Sequence, residues 1–153
     1  MSQAWIIVTP PTNWTKTADL GFTVQGVKST RGRLAQRIQP GDRLFYYITG
    51  RKKFAGIVRV TSPMYEEHTR VWATEGRPNE VYPYRFRIEA ELVLPEDRWV
   101  DAEPLARQME HARRWPAANW TLAFQGNLHA IPEGDARALD AALRAAAGTA
   151  AGR

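Results

Sequence analysis

An alternation of apolar and charged side chains near the middle of the chain constrains the fold more than any other feature. From Tyr84 to Leu94 the sequence reads YRFRIEAELVL, with apolar residues at every second position through most of the run. Successive side chains on a β-strand point to opposite faces, so this period predicts a half-buried strand. One strand is not stable alone, and the chain must therefore supply further strands that pair with it.

Three other segments have the composition of strands. Trp5–Val8 is a short apolar run that Thr9-Pro10-Pro11 ends, because proline cannot donate to a ladder. Asp42–Thr49 and Phe54–Thr61 are rich in aromatic and β-branched residues, and Gly50–Lys53 lies between them. This arrangement predicts two adjacent antiparallel strands joined by a basic hairpin tip.

The remaining segments predict loops and helices. Asn13-Trp14-Thr15 reads as the start of a polar loop, and 29–38 as a short basic helix that Pro40-Gly41 ends. After Pro95 the pattern becomes helical. The predicted helices are Glu103–Trp115, Trp120–Phe124 and Ala136–Ala147, the last opened by Gly134-Asp135. Strands followed by helices predict an α+β fold with a curved or closed, antiparallel-rich sheet.

Length and composition place the chain among ordinary globular proteins. Its 153 residues suit one domain, predicted over 1–147, with a frayed tail at 148–153. The absence of cysteine excludes disulfide scaffolds, zinc knuckles, iron–sulfur sites and thiol nucleophiles. The longest apolar run, Leu44–Ile48, is far shorter than the ~20 residues of a spanning helix. We therefore expect a soluble, cytoplasmic protein without a membrane partner.

Basic residues are concentrated in the first half of the chain. Nine of them lie between Lys28 and Arg59 beside one acid, Asp42, which gives this segment a local charge of +8. Such a segment predicts a polyanionic partner. The alternative is a solvated basic surface that serves solubility.

The sequence offers little for catalysis. Gly21 to Ser29 resembles a phosphate-binding P-loop, but Val27 separates the second glycine from Lys28 and no βα alternation surrounds it. His68, His111 and His129 share no metal-ligand spacing, and Ser29 lacks a nucleophile-elbow sequence. We therefore expect no catalytic residue, no metal and no cofactor. Tryptophans in loops serve either as lids over the core or as stacking walls for a planar ligand.

The order and spacing of several segments resemble the EVE domain, a small PUA-like fold related to the YTH readers of methylated adenine. The similar segments are Gly21-Phe22, Gly26–Thr30, Pro40–Tyr47, Phe54–Val60, Tyr65–Trp72 and Asn127–Asp135. The resemblance covers nearly the whole chain. It implies a distorted β-barrel flanked by short helices, with a pocket that accepts one extruded, often modified base and performs no chemistry on it.

The resemblance also implies which residues form that pocket. Gly26–Thr30 matches the Gly-Val-Trp-Ser-Thr stretch of YTH proteins, so Lys28 stands where those proteins have an aromatic wall, and this argues against an N6-methyladenine cage of the YTH type. The predicted base-binding residues are Asn13, Trp14, Lys28, Ser29, Thr30, Tyr47 and Trp72. Arg31, Arg33, Lys52 and Lys53, together with Lys28, are predicted to bind phosphates.

Each assignment has a structural alternative. Trp72 could cover the core, Asn13 could cap a helix, and Tyr46 rather than Tyr47 could face inward. The leading hypothesis is a non-catalytic nucleic-acid-binding module that flips a modified base, of the 5-methylcytosine, 5-hydroxymethylcytosine or N6-methyladenine type, into an aromatic pocket. The alternatives are a protein or enzyme for a free nucleotide or planar metabolite, and a protein-interaction domain. DNA or RNA, and the oligomeric state, stay open.

Overall fold

The computed structural model describes residues 2–151 and has one curled mixed sheet with helices around it. The strands are β1 (Ala4–Thr9), β2 (Val24–Val27), β3 (Arg43–Ile48), β4 (Lys53–Val60), β5 (Tyr65–Glu66), β6 (Tyr84–Val93), β7 (Val100–Asp101) and β8 (Leu128–Ile131). Their order is β2-β6-β4-β3-β1-β8, with β5 paired to β6 and β7 paired to β4. The β1–β3 pair is parallel and the others are antiparallel. The predicted α+β, PUA-like and antiparallel-rich fold is confirmed.

The predicted hairpin and the predicted long strand are both present. Strands β3 and β4 pair from Arg43↔Arg59 to Ile48↔Lys53, with the basic tip between them. Strand β6 occupies ten of the eleven alternating positions. The register shifts once in the β3–β4 pair and once in the β4–β6 pair, and such irregularities increase local twist and bending.

Four α-helices and several 3₁₀ turns connect the strands. The α-helices are α1 (Pro11–Asp19), α2 (Gly32–Ala35), α3 (Ala102–Ala106) and α4 (Glu133–Ala151). The 3₁₀ turns are Ser29–Arg31, Glu96–Arg98, Glu110–Ala112 and Ala117–Phe124. The predicted helices at 29–38 and 103–115 are therefore broken into shorter pieces. Helix α4 continues past Ala147, and Gly152 and Arg153 lie outside the described residues.

Helix α1 corrects the polar loop predicted at Asn13-Trp14-Thr15. Pro11 is the first residue of this helix, where its missing N–H is not needed and its fixed φ suits the helix. The two prolines therefore both end β1 and begin α1. Asn13 and Thr17 lie one turn apart on the buried face of α1.

Both faces of the sheet are buried. Along β3, Leu44, Tyr46 and Ile48 face a cluster that includes Trp5 and Phe86. Phe45 and Tyr47 face the other cluster, which α3, α4 and the turn Ala117–Phe124 cover. Within residues 2–151, no helix is long and apolar enough to span a membrane.

Candidate functional site

The long connection between β5 and β6, residues 67–83, folds back across α1 and the end of β2, and is named the crossing loop here. The Asn13 amide nitrogen donates to the Ala73 carbonyl oxygen at 2.9 Å, and the Ala73 N–H donates to Asn13 Oδ1 at 3.0 Å. The Ser29 N–H donates to the Val81 carbonyl oxygen at 3.1 Å. These hydrogen bonds attach the crossing loop to α1 and to the turn that follows β2.

Trp72 is the aromatic anchor of the crossing loop and is only 3% exposed. Its Nε1–H donates to Thr17 Oγ1 at 2.9 Å, and that hydroxyl donates to Gln25 Oε1 at 3.1 Å. The Tyr46 hydroxyl also donates to Gln25 Oε1, at 2.7 Å. The indole lies so close to Gly26 that a Cβ there would be 2.5 Å from Trp72 Cζ3. Position 26 thus requires glycine for this packing.

A chain of polar side chains runs beside Trp72 toward the surface. The Asn13 amide lies 3.4 Å from the Tyr82 hydroxyl, which lies 2.7 Å from Thr74 Oγ1. Burial raises the pKa of Tyr82, so its hydroxyl keeps its proton at neutral pH. At the far end, Glu80 Oε1 lies 3.5 Å from Lys28 Nζ. The chain therefore ends in a half-buried ion pair.

Asn127, directly before β8, joins the C-terminal end of β2 to the end of β1. The Lys28 N–H donates to Asn127 Oδ1 at 2.9 Å, and Asn127 Nδ2 donates to the Val8 carbonyl oxygen at 3.2 Å. Asn127 is 4% exposed. This buried amide fixes the segment on which Lys28 and Ser29 stand, where the two edges of the curled sheet approach each other.

The crossing loop, together with Arg85 of β6, encloses a very small cavity. It is lined by 68–72, Glu80, Val81, Tyr82 and Arg85, and its volume is about 10 Å³. That volume is close to the smallest that holds one water molecule. A planar ligand of nucleobase size enters only when part of the crossing loop moves outward.

The comparison with known families identifies the chain at this point. The model of the EVE domain family matches residues 3–132. The chain belongs to the EVE domain family. A UPF0310 protein of Pyrococcus horikoshii, PH1033, is 26% identical over 149 residues, which cover 91% of this chain and 97% of that protein.

Solved YTH domains have the same fold as this EVE domain. The YTH domain of mmi1, in a complex with RNA, superposes with a TM-score of 0.68 at 10% identity, covering 99% of this chain and 88% of that one. The YTH domain of Zygosaccharomyces rouxii MRB1, in complex with N6-methyladenosine RNA, gives 0.62 at 14% identity, covering 94% and 90%. At these identities the likeness establishes the fold alone.

Four of the residues predicted for the pocket lie together in the EVE domain. Asn13, Lys28, Ser29 and Trp72 each contact the crossing loop or belong to it, as the hydrogen bonds above describe. Thr30 follows Ser29 in an exposed turn. Both line an open depression next to the crossing loop, together with Arg33.

Trp14 and Tyr47 lie elsewhere. Trp14 is on a different side of α1 from Asn13, and its ring contacts Phe22, Tyr46 and Trp99 with centroid distances of 5.2, 5.1 and 6.0 Å. Tyr47 is 3% exposed and stacks on Phe124 at 4.6 Å, on the opposite face of the sheet from Tyr46. The alternation along β3 therefore brings Tyr46, and not Tyr47, toward the network of Trp72.

The basic residues divide into paired and unpaired groups. Of the nine between Lys28 and Arg59, five form ion pairs with acids within 4.0 Å, namely Lys28, Arg43, Arg51, Lys53 and Arg59. Within the part of the chain that the structure describes, Arg31, Arg33, Arg37 and Lys52 have no acidic partner at that distance. The guanidinium of Arg31 packs against Gly126.

Two of the three histidines lie next to each other, although their spacing in the sequence predicts no shared metal site. The rings of His111 and His129 are 5.0 Å apart, and a ring nitrogen of each lies within hydrogen-bonding distance of a backbone carbonyl oxygen. Burial, and to a smaller extent His111, lower the pKa of His129 to about 4. Among the described residues, no group of three or more His, Asp or Glu side chains is placed to hold a metal ion.

Sequence reasoning missed Thr17, Thr74, Glu80 and Tyr82. These residues belong to no motif, and their partners are 8 to 69 positions away in the chain. The only signal was indirect: Thr17 follows Asn13 by four residues, which places both on one face once α1 is known to be a helix.

Proposed function

We propose that this EVE domain is a non-catalytic module that binds nucleic acid and takes one extruded, modified base beneath the crossing loop. The observation that carries the proposal is that Asn13, Lys28 and Ser29 all contact the crossing loop, in which Trp72 lines one small cavity. The shared fold with YTH domains that were solved in complexes with RNA supports it.

Base entry requires the crossing loop to lift. A closed cavity of about 10 Å³ cannot hold a base, so the hydrogen bonds that attach the loop at Ala73 and Val81 are the ones a ligand disturbs. Flipping a base costs a few kcal/mol. Stacking on an aromatic ring contributes about 1–3 kcal/mol. Trp72, whose ring is buried in the closed state, supplies that face once the loop moves.

The polar groups that contact the crossing loop suit the edge of a base, and the basic residues without acidic partners suit the phosphate backbone. Asn13 and the Ser29 hydroxyl offer donors and acceptors for the edge of the base. Arg31, Arg33 and Lys52 have no acidic partner among the described residues and are proposed to contact phosphates, with Lys53 and Lys28 assisting. Such contacts position the strand without reading its sequence.

The modified base is proposed to be 5-methylcytosine, 5-hydroxymethylcytosine or N6-methyladenine. A methyl group adds apolar area that favours a dry site. Lys28 at the site reduces the aromatic surface available to a methyl group, so a complete aromatic cage is not part of the proposal. A charged group at that position instead suits a ligand with a polar edge.

The test replaces Trp72 with alanine and measures binding of oligonucleotides that differ only in the modified base. The Trp72→Ala variant should lose about 1–3 kcal/mol of affinity for the preferred modified oligonucleotide and keep its affinity for the plain one. Trp115→Ala, at a half-buried tryptophan packed against the other core cluster, is the matched control and should not change the preference. Equal losses for modified and plain oligonucleotides in Trp72→Ala would contradict the proposal. Tighter binding of free nucleotides than of any oligonucleotide would favour a metabolite pocket.

A further inference from the structure

Glu80 carries a buried carboxylate oxygen that accepts no hydrogen bond. The side chain is 10% exposed, and Oε1 is inaccessible to solvent. Among the side chains that the structure describes, those of residues 2–148, it is the one polar atom buried in this way without a hydrogen-bond partner. Lys28 Nζ approaches it to 3.5 Å, which is longer than a normal charge-assisted hydrogen bond. Leaving such an acceptor unsatisfied is costly, so this oxygen calls for an N–H or O–H donor.

The carboxylate is held in its ionised form. The hydrogen bond from the Thr74 hydroxyl, and then the charge of Lys28, lower the pKa of Glu80 against the opposing effect of burial. The Thr74 oxygen in turn lies 2.7 Å from the Tyr82 hydroxyl. An ionised carboxylate only accepts hydrogen bonds, so a ligand that approaches Oε1 must present a donor to bond with it.

Glu80 and Lys28 present an acceptor next to a donor, at the cavity proposed for the base. Glu80 lines that cavity, and the ammonium group of Lys28 is 3.5 Å from its free oxygen. Cytosine and adenine carry an exocyclic amino group beside a ring nitrogen that accepts. Uracil and thymine have a carbonyl oxygen beside an N–H at the same places. The amino-bearing edge complements the Glu80–Lys28 pair, and the keto edge opposes it.

We infer that Glu80 accepts a hydrogen bond from the exocyclic amino group of the bound base, while Lys28 donates to the neighbouring ring acceptor. The inference rests on the proposed function and adds the residues that select the base: Glu80 and Lys28 would distinguish an amino-bearing base, of the cytosine or adenine type, from a keto base. A keto base would place its carbonyl oxygen against the Glu80 carboxylate, and neither oxygen could donate. The Glu80–Lys28 pair is thus the specificity-determining element of the site.

Two comparisons, each between an amino base and a keto base in an otherwise identical oligonucleotide, test the inference on the full chain. 5-Methylcytosine and thymine have the same 5-methyl group and differ at the amino and keto positions of the pyrimidine edge. Adenine and hypoxanthine make the corresponding purine comparison, because they also differ only at the amino and keto positions. We expect the wild-type chain to prefer the amino member of one pair by about tenfold or more, and the preferred pair identifies the ring type.

Glu80→Gln, which keeps the shape of the side chain, should reduce that preference to less than about threefold, because an amide both donates and accepts. Glu75→Gln is the matched control: it removes the same charge from an exposed position of the crossing loop and should leave the preference unchanged. Thermal unfolding of both variants, compared with the wild type, separates altered recognition from altered folding. Glu80→Gln is then read only at temperatures where it is folded.

The inference and the proposed function fail in different ways. If the wild-type chain prefers modified over plain oligonucleotides, yet binds amino and keto members equally or keeps its preference in Glu80→Gln, the inference is wrong and the proposed function stands. If the wild-type chain shows no preference for any modified oligonucleotide and no amino preference, the proposed function fails as well.

Discussion

At the scale of single residues, Gly26 determines where the indole of Trp72 can lie. A Cβ at position 26 would be 2.5 and 2.7 Å from two ring carbons of Trp72, and 3.0 Å from the Tyr82 carbonyl oxygen. Real Cβ atoms do not approach other atoms so closely, so either the indole or the backbone would have to move. The candidate site therefore depends on glycine at position 26, because the Trp72 ring occupies the space that a side chain there would need.

We expect Gly26→Ala to lower the free energy of unfolding by about 1–3 kcal/mol, as overpacking of a filled core does. Denaturant unfolding followed by tryptophan fluorescence measures this change. Gly134→Ala is the control, because nothing lies within 4 Å of a Cβ there and the residue is helical. That control should be neutral or slightly stabilising. If Gly26→Ala is as stable as the wild type, the packing of Trp72 described above is wrong.

The sequence could predict only part of the site at this scale. Lys28, Ser29 and Trp72 were identifiable because they fall in segments that resemble a known family, and Asn13 because it follows the first strand, in a region that lines the pocket in that family. Glu80 was not, because its role depends on the 3.5 Å approach of Lys28, which lies 52 positions earlier in the chain. Whether a buried acceptor lacks a donor depends on three-dimensional packing, and no local sequence pattern predicts it.

At the scale of elements, the crossing loop 67–83 is the part of the molecule that must move. Most of its residues other than Trp72, Tyr82 and Pro83 are exposed or half-buried, and hydrogen bonds join it to α1, to the turn after β2 and to Arg85 of β6. Segments with few buried contacts open at lower free energy than the core. We therefore expect the loop to open without unfolding of the sheet.

Asn13→Ala removes both hydrogen bonds to Ala73 and should release that end of the loop. Hydrogen exchange should accelerate across residues 67–83, by about tenfold or more at Ala73, and stay unchanged in β3 and β4. Thr15→Ala, at an exposed position of the same helix, is the control and should leave exchange in the loop unchanged. Unchanged protection of the loop in Asn13→Ala would mean that other contacts hold it closed.

The elements themselves were predictable to different degrees. The period-2 pattern of β6 and the aromatic composition of β3 and β4 predicted these strands, because the alternation of a half-buried strand and the apolar run of a fully buried one are both local features of the sequence. Helix α1 was missed because its residues are mostly polar and Pro10-Pro11 suggested only an ending. Tyr47 was assigned to the pocket because the sequence alone does not say which face of β3 turns toward Trp72.

At the scale of the whole molecule, folding redistributes the charge that the sequence concentrates between Lys28 and Arg59. Acids from later in the chain form ion pairs with five of the nine basic residues, and Glu91 alone lies within 4.0 Å of Arg43, Arg59 and Arg144. The basic charge that stays unpaired includes Arg31 and Arg33, next to the candidate site, and Lys52 at the hairpin tip. The local charge of +8 thus overstates the positive charge that is available to bind a polyanion.

We propose that phosphate contacts and base recognition contribute separately to the binding free energy of this EVE domain for nucleic acid. To test this, we would measure the affinity of the full chain for oligonucleotides with and without the modified base, across a series of salt concentrations. We predict that both affinities fall with salt with the same slope, on the order of 0.7–0.9 per phosphate contact in a plot of log K against log salt, while their ratio stays constant. Equal affinities that vanish together as salt rises would contradict the account.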